Sequence, residues 1–179
     1  MKIIFLDIDG VLNYNGSEVF DSVCVSNLKY IVEETGAKIV LISTWKQFLD
    51  ADIFNDLSDD SKSDFLYYQN LIHSVFKGNL EIVDITEDYF EKIKMNNQSS
   101  VSSLQDLDKL DSSHDSWRSV EVSWWLEKHS NIESFVIIDD FDCNYSVYYP
   151  NNWIATSWFD KGLKKEYSLK AVNILNNGL

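Results

Sequence analysis

The chain has little of what would tie it to an oxidising compartment, a membrane or a long polyanion. Its 179 residues include only two cysteines, Cys24 and Cys143. Two thiols cannot build a disulfide framework, so a cytoplasmic setting is the expectation. Neither has sequence neighbours that suggest a thiolate, and both read as packing residues. No apolar run approaches the roughly 20 residues that span a bilayer. The first apolar run is too short for a secretion signal, lacks a small-residue cleavage site and ends in acids. Basic residues are scarce: 15 Lys and Arg against 29 Asp and Glu, a formal net charge of −14. That field disfavours a broad, sequence-independent grip on nucleic acid, which relies on Lys and Arg neutralising phosphates. It leaves room for a small phosphate ester drawn to a local cation. Only one proline, Pro150, interrupts the pattern. No glycine-rich phosphate loop, internal repeat or Ser-His-Asp arrangement is readable. His73, His114 and His129 are scattered without metal-ligand spacing and read as ordinary surface or core.

What is present is an apolar content of 45 %, ordinary for a globular protein, in a length that suits one domain over 1–179. Lys2 to Leu6 reads as a short buried strand, and Asn13 to Phe20 as a loop. Ser22 to Thr35 follows as a helix, capped by Asp21 or Ser22, with Leu28, Ile31 and Val32 inward and Gly36 past its end. Lys38 to Ile42 is a second buried strand. Strand, helix and strand in this order make a βαβ unit and imply a parallel sheet with right-handed crossovers. Helices are expected from Thr44 through Leu49, from Asp64 to Phe76 with Gly78 ending it, from Ser116 to His129 and from Lys164 to Leu175. Further strands are expected at Leu80 to Ile85, Phe135 to Ile138 and Trp153 to Thr156. The acids from Asp50 to Asp64 read as a solvated loop. The stretch 86–116, rich in Ser, Asp, Asn and Gln, reads as an irregular insertion with a short helix near 89–94. In the helix after it, Val120, Trp124, Trp125 and Leu126 are available to the core. Trp117, Trp124 and Trp125 are better explained by packing than by stacking on a base. The fold class is α/β, a Rossmann-like three-layer sandwich with a mainly parallel central sheet.

Three apolar strands end in polar residues: Asp7 and Asp9, Ser43 and Thr44, Asp139 and Asp140. In an open parallel sheet, ligands bind in the crevice beyond the carboxyl ends of the strands. Those residues are therefore expected to converge. Side chains alternate along a strand, so Asp7 and Asp9 project the same way if the extended geometry persists. Neighbouring carboxylates repel and raise one another's pKa unless a cation lies between them. A hard divalent ion such as Mg²⁺ prefers such oxygen ligands.

This set resembles the haloacid dehalogenase-like (HAD) superfamily of phosphohydrolases. The likeness rests on Asp7-Ile8-Asp9-Gly10-Val11-Leu12-Asn13, the Ser43 strand end, the helix from Arg118 and the acids at Asp139. Within the superfamily it is most similar to the small, cap-poor group associated with nucleic-acid repair (Swiss Army Knife type). Trp45-Lys46, the helix with Glu121 and Trp125-Leu126, and Gly162-Leu163 are similar to that group. The resemblance implies a Mg²⁺-dependent phosphatase acting on a phosphate monoester, from a small molecule or a polynucleotide end. It implies Asp7 as nucleophile forming an aspartyl-phosphate and Asp9 as general acid and base. Ser43, with Thr44 as its rival, would bond the phosphoryl oxygen. Arg118, with Lys46 as fallback, would stand where the family usually has a lysine. Thr44, Gly10 and Lys46 would face the substrate. The metal set would be Asp7, Asp9, through its carbonyl, Asp140 and Asp139, with Asp142 holding a metal-bound water. A non-catalytic metal- or phosphate-binding module on the same fold is the alternative, because Arg118 departs from the usual lysine. A metal-free dehalogenase of the same superfamily is disfavoured by Asp9.

Overall fold

The computed structural model describes residues 1–88 and 117–178. The sheet carries five strands among these residues: β1 (Lys2–Leu6), β2 (Lys38–Leu41), β3 (Ile82–Ile85), β4 (Ser134–Asp139) and β5 (Trp153–Ala155). Their order is β3-β2-β1-β4-β5, and every pairing is parallel. Purely parallel sheets need both faces covered, which is why β1 and β2 read as unbroken apolar runs.

Alternation in β1 divides two cores. Ile4 and Leu6 pack with Leu28, Ile31, Ala171 and Leu175 on one face. Ile3 and Phe5 pack with Val122, Trp125, Ile137 and Tyr145 on the other. The first face is covered by α1 (Ser22–Thr35) and by α6 (Lys165–Asn177), and the second by α4 (Trp117–Lys128) and the short α5 (Tyr145–Tyr148). The three layers are the architecture read from the sequence.

The ends of α1 follow capping chemistry. Asp21 accepts from the Val23 and Cys24 amides at 2.9 and 3.0 Å. Gly36 takes a left-handed conformation (φ +67°) and donates to Val32 O. Both cysteines are free and buried, and burial pushes the Cys24 thiol up to about 11, as packing residues require.

Several expectations need correction. The acidic stretch from Asp50 is largely helical: α2 (Ala51–Asp56) and α3 (Asp59–Val75) occupy it. Asp52, Asp59 and Asp60 lie in their first turns, where a helix N-terminus favours negative charge. The segment Thr44–Leu49 is a 3₁₀ helix, and Gly78 opens a short 3₁₀ turn, Gly78–Leu80, rather than ending α3. On α4 the buried stripe is Ser119, Glu121, Val122 and Trp125, with Val120 and Trp124 only half-buried. The insertion beyond residue 88, its helix at 89–94 and His114 lie outside the described residues. Among the described residues, no helix is long and apolar enough to cross a membrane.

Candidate active site

Register brings the strand tips together. Leu6 pairs with Leu41 on one side and Ile138 on the other, so the next residues of all three strands meet at one edge. The ladder continues past the strands: Asp7 N donates to Ile138 O, Ile42 N to Leu6 O, and Thr86 N to Leu41 O. Asp7 follows Ile3 and Phe5, and Asp139 follows Ile137, so alternation turns both carboxylates toward the α4 and α5 side.

Arg118, in the first turn of α4, meets them there. Its Nη1 lies 3.3 Å from Asp7 Oδ1 and 3.1 Å from Asp139 Oδ2. Asp139 is fully buried and also accepts from the Phe141 amide at 2.9 Å and the Tyr145 hydroxyl at 3.3 Å. Asp7 is 2 % exposed, and its Oδ1 accepts no hydrogen bond among the described residues. Burial, followed by the charge of Asp139, pushes the Asp7 carboxyl up to about 7, against the pull of Arg118 and the Ser43 hydroxyl. Burial also raises Asp139 and Asp140. Burial alone would lower the Arg118 guanidinium, but Asp7 and Asp139 together hold it well above its ordinary range.

Asp9 is held by both carboxylate oxygens. Asn13 Nδ2 donates to Oδ1 and Trp45 Nε1 to Oδ2, each at 2.9 Å. Asn13 Oδ1 in turn accepts from the Gly10 amide at 3.0 Å, closing the turn after β1. Ser43 is fully buried and caps the 3₁₀ helix, accepting from the Trp45 amide, while Thr44 is exposed on the cleft wall.

Lys46 sits elsewhere than Arg118. Its Nζ lies 2.7 Å from Glu121 Oε2 and 3.3 Å from Thr86 Oγ1, and Thr86 donates to the same Glu121 oxygen at 2.8 Å. Of the two cations weighed for the place beside Asp7, Arg118 is therefore the one found there. Asp142 accepts from the Ser146 amide at 2.9 Å and from the Ser146 hydroxyl, next to the start of α5. His73 is exposed, and His129 stacks on Trp125.

Gly10 is buried. Its φ is +70°, and a Cβ there would stand 2.1 Å from Asp140 Oδ2. Gly10→Ala is therefore expected to displace the Asp140 carboxylate and to cost about 1–3 kcal/mol from backbone strain alone. Thermal denaturation checks this, and a variant as stable as the unsubstituted protein would contradict it.

One ligand oxygen from each of Asp7, Asp139 and Asp140 lies within 4.8 Å of the others. Asp7 and Asp140 line a cleft of about 970 Å³, with Asp139 buried behind them, and its walls include Thr44, Lys46, Thr86, Arg118 and Glu121. Thr86, Glu121, Trp45 and Tyr145 were not among the expected site residues. Thr86 directly follows β3, one step before the level of Ser43, and the strand-tip rule applied to β3 would have found it. Glu121, Val122 and Trp125 stand three, four and seven residues after Arg118, one helical face.

Searches of curated proteins and of solved structures find no match to the chain. The family described as the HAD domain in Swiss Army Knife RNA repair proteins matches residues 3–167. With its Asp-x-Asp strand end, its parallel sheet in the order above and this match over most of its length, the chain belongs to that family of HAD domains.

Proposed function

We propose that the chain is a Mg²⁺-dependent phosphatase that hydrolyses a phosphate monoester through an aspartyl-phosphate on Asp7. One observation carries the reading: a buried Asp7 carboxylate with an oxygen that accepts no hydrogen bond among the described residues, beside two further acids and a guanidinium. The donor set suits a hard divalent cation, which takes oxygen ligands and few protein carboxylates. Asp7 and Asp140 would hold it, with Asp139 adjacent and the Asp9 carbonyl as a further oxygen. When bound, the ion would offset charge on the phosphoryl group in transfer.

The chain's own residues then divide the work. The Asp7 carboxylate attacks phosphorus, and the bond from phosphorus to the alcohol oxygen breaks. Asp9 gives that oxygen its proton, then takes one from the water that attacks the acyl phosphate. Inorganic phosphate leaves and Asp7 is restored. Arg118 favours the ionised form of Asp7 and presents donors to the phosphoryl oxygens. Ser43 donates to a phosphoryl oxygen, with the exposed Thr44 as the other available hydroxyl. Lys46, tied to Glu121 and Thr86, shapes the wall on which the substrate rests.

Hydrolysis of 4-nitrophenyl phosphate with and without Mg²⁺ tests the reading. Metal-dependent release of nitrophenolate is expected. No turnover on any ester, together with a Mg²⁺-induced rise in Tm, would favour a non-catalytic binding module instead. The family's description favours a second reading of the substrate, a phosphorylated polynucleotide end.

Trp45 is a positioning residue in this scheme, because its indole N–H fixes one oxygen of the general acid. Trp45→Phe keeps the ring packing against Phe20, Phe48 and Tyr68 but removes the donor. Roughly tenfold slower turnover is expected for alkyl phosphates, whose alkoxide must be protonated, and little change for 4-nitrophenyl phosphate. Equal losses on both would indicate a packing role only.

A further inference from the structure

Tyr145 is the largest fully buried side chain among the described residues. Its ring belongs to the core on the α4 and α5 face, with the Tyr149 and Trp153 rings at 6.5 and 6.0 Å. A core needs only the ring. The hydroxyl would be costly to bury unpaired, and it donates to Asp139 Oδ2 at 3.3 Å. Burial, then the charge of Asp139, raises this phenol well above its ordinary range, so it stays a donor.

Asp139 is held from several sides. Its Oδ1 accepts from the Phe141 amide at 2.9 Å, and its Oδ2 is shared by the Tyr145 hydroxyl and Arg118 Nη1. Arg118 is the chain's only arginine. Its Nη1 also lies 3.3 Å from Asp7 Oδ1, yet that oxygen accepts no hydrogen bond among the described residues. The guanidinium thus lends Asp7 its charge, while its directional N–H bond goes to Asp139. That division matters to a nucleophile. An oxygen that attacks phosphorus needs a lone pair no donor has taken. Fixing the acceptor on Asp139 fixes where the arginine points.

We propose that Tyr145 is a positioning residue for phosphoryl transfer: through Asp139 it aims Arg118 and keeps Nη1 from hydrogen-bonding the open oxygen of Asp7. Being fully buried, Tyr145 acts only through other residues. The inference rests on the phosphatase reading above.

Tyr145→Phe removes the hydroxyl and keeps the ring, so it isolates the donor. With 4-nitrophenyl phosphate and Mg²⁺, kcat should fall roughly tenfold while KM stays within about twofold. In an Arg118→Ala background the same substitution should change kcat by less than about twofold, because no guanidinium is left to aim. An equal loss in both backgrounds, a change in KM alone, or no loss in the first overturns the proposal. A second readout needs neither turnover nor metal. Labelling arginine with ¹⁵N reports the Arg118 guanidinium alone, and distinct Nη signals are expected while Asp139 holds it. In Tyr145→Phe they should shift and average together; unchanged signals overturn the proposal even if kcat falls. Where the Arg118→Ala background is too slow to compare, these signals decide. Absence of turnover on any ester by the unsubstituted protein removes the phosphatase reading, and the guanidinium signals then decide alone whether Tyr145 aims Arg118.

Discussion

Asp7→Asn is expected to lower phosphatase turnover by roughly 10⁴-fold or more and, at the same time, to make the metal-free protein more stable at pH 8. The two effects share one cause. The carboxylate is kept out of water, beside Asp139, at the tip of an interior strand. Burial raises its pKa from an ordinary 3.8 to about 7. Between those values the folded chain holds a proton that the unfolded chain releases. Stability of the metal-free protein therefore falls as pH rises through that window. Asp139, raised by burial in the same direction, adds to the slope. The neutral amide removes the Asp7 part of this cost, on the order of 4 kcal/mol at pH 8 and close to nothing below pH 4. Urea denaturation of both proteins in chelator across that range measures it. A variant less stable than wild type at pH 8 would contradict the electrostatic account, whatever its activity.

Arg118→Ala is expected to cost roughly 10³-fold in turnover, because a guanidinium on a transferring phosphoryl group is among the larger single contributions known for this chemistry. It also leaves Asp7 and Asp139 without their shared counter-ion. Removing one partner of a buried ion pair costs about 3–5 kcal/mol. Here the loss should shrink as pH falls, because burial already raises both acids toward protonation and losing the guanidinium raises them further. Arg118→Lys should recover part of the activity, since a lysine supplies the charge without the two-armed donor geometry. A loss of stability independent of pH would mean that Arg118 matters for packing alone.

Much of this site was legible because it lies where simple rules are strong. The runs at Lys2–Leu6 and Lys38–Leu41 are apolar on both faces, which only an interior parallel strand requires, and the acids that end such runs must emerge at one edge. What escaped the sequence depends on contacts between distant residues. The choice between Arg118 and Lys46 turns on Glu121 and Thr86, which occupy Lys46 from two other elements. The role of Gly10 depends on Asp140, far along the chain, filling the space where a side chain would sit. The hydrogen bond from Trp45 to Asp9 is invisible in a pattern that marks the tryptophan simply as large and apolar. Helix α3 is legible from Asp64 onward, but its first turn and all of α2 are hidden by their acids, which read as loop when counted but as favourable first-turn charge once the helix starts at Asp50 and Ser58 are seen.

The account stands on Asp7 forming a covalent bond to phosphorus, and chemical trapping reports on that bond most directly. Borohydride reduces an acyl phosphate to the alcohol, so quenching during turnover with Mg²⁺ and substrate should convert Asp7, and no other acid, to homoserine in the peptide carrying Asp7 and Asp9. Robust turnover with Asp7 left unreduced, or with the label on a different residue, would contradict it.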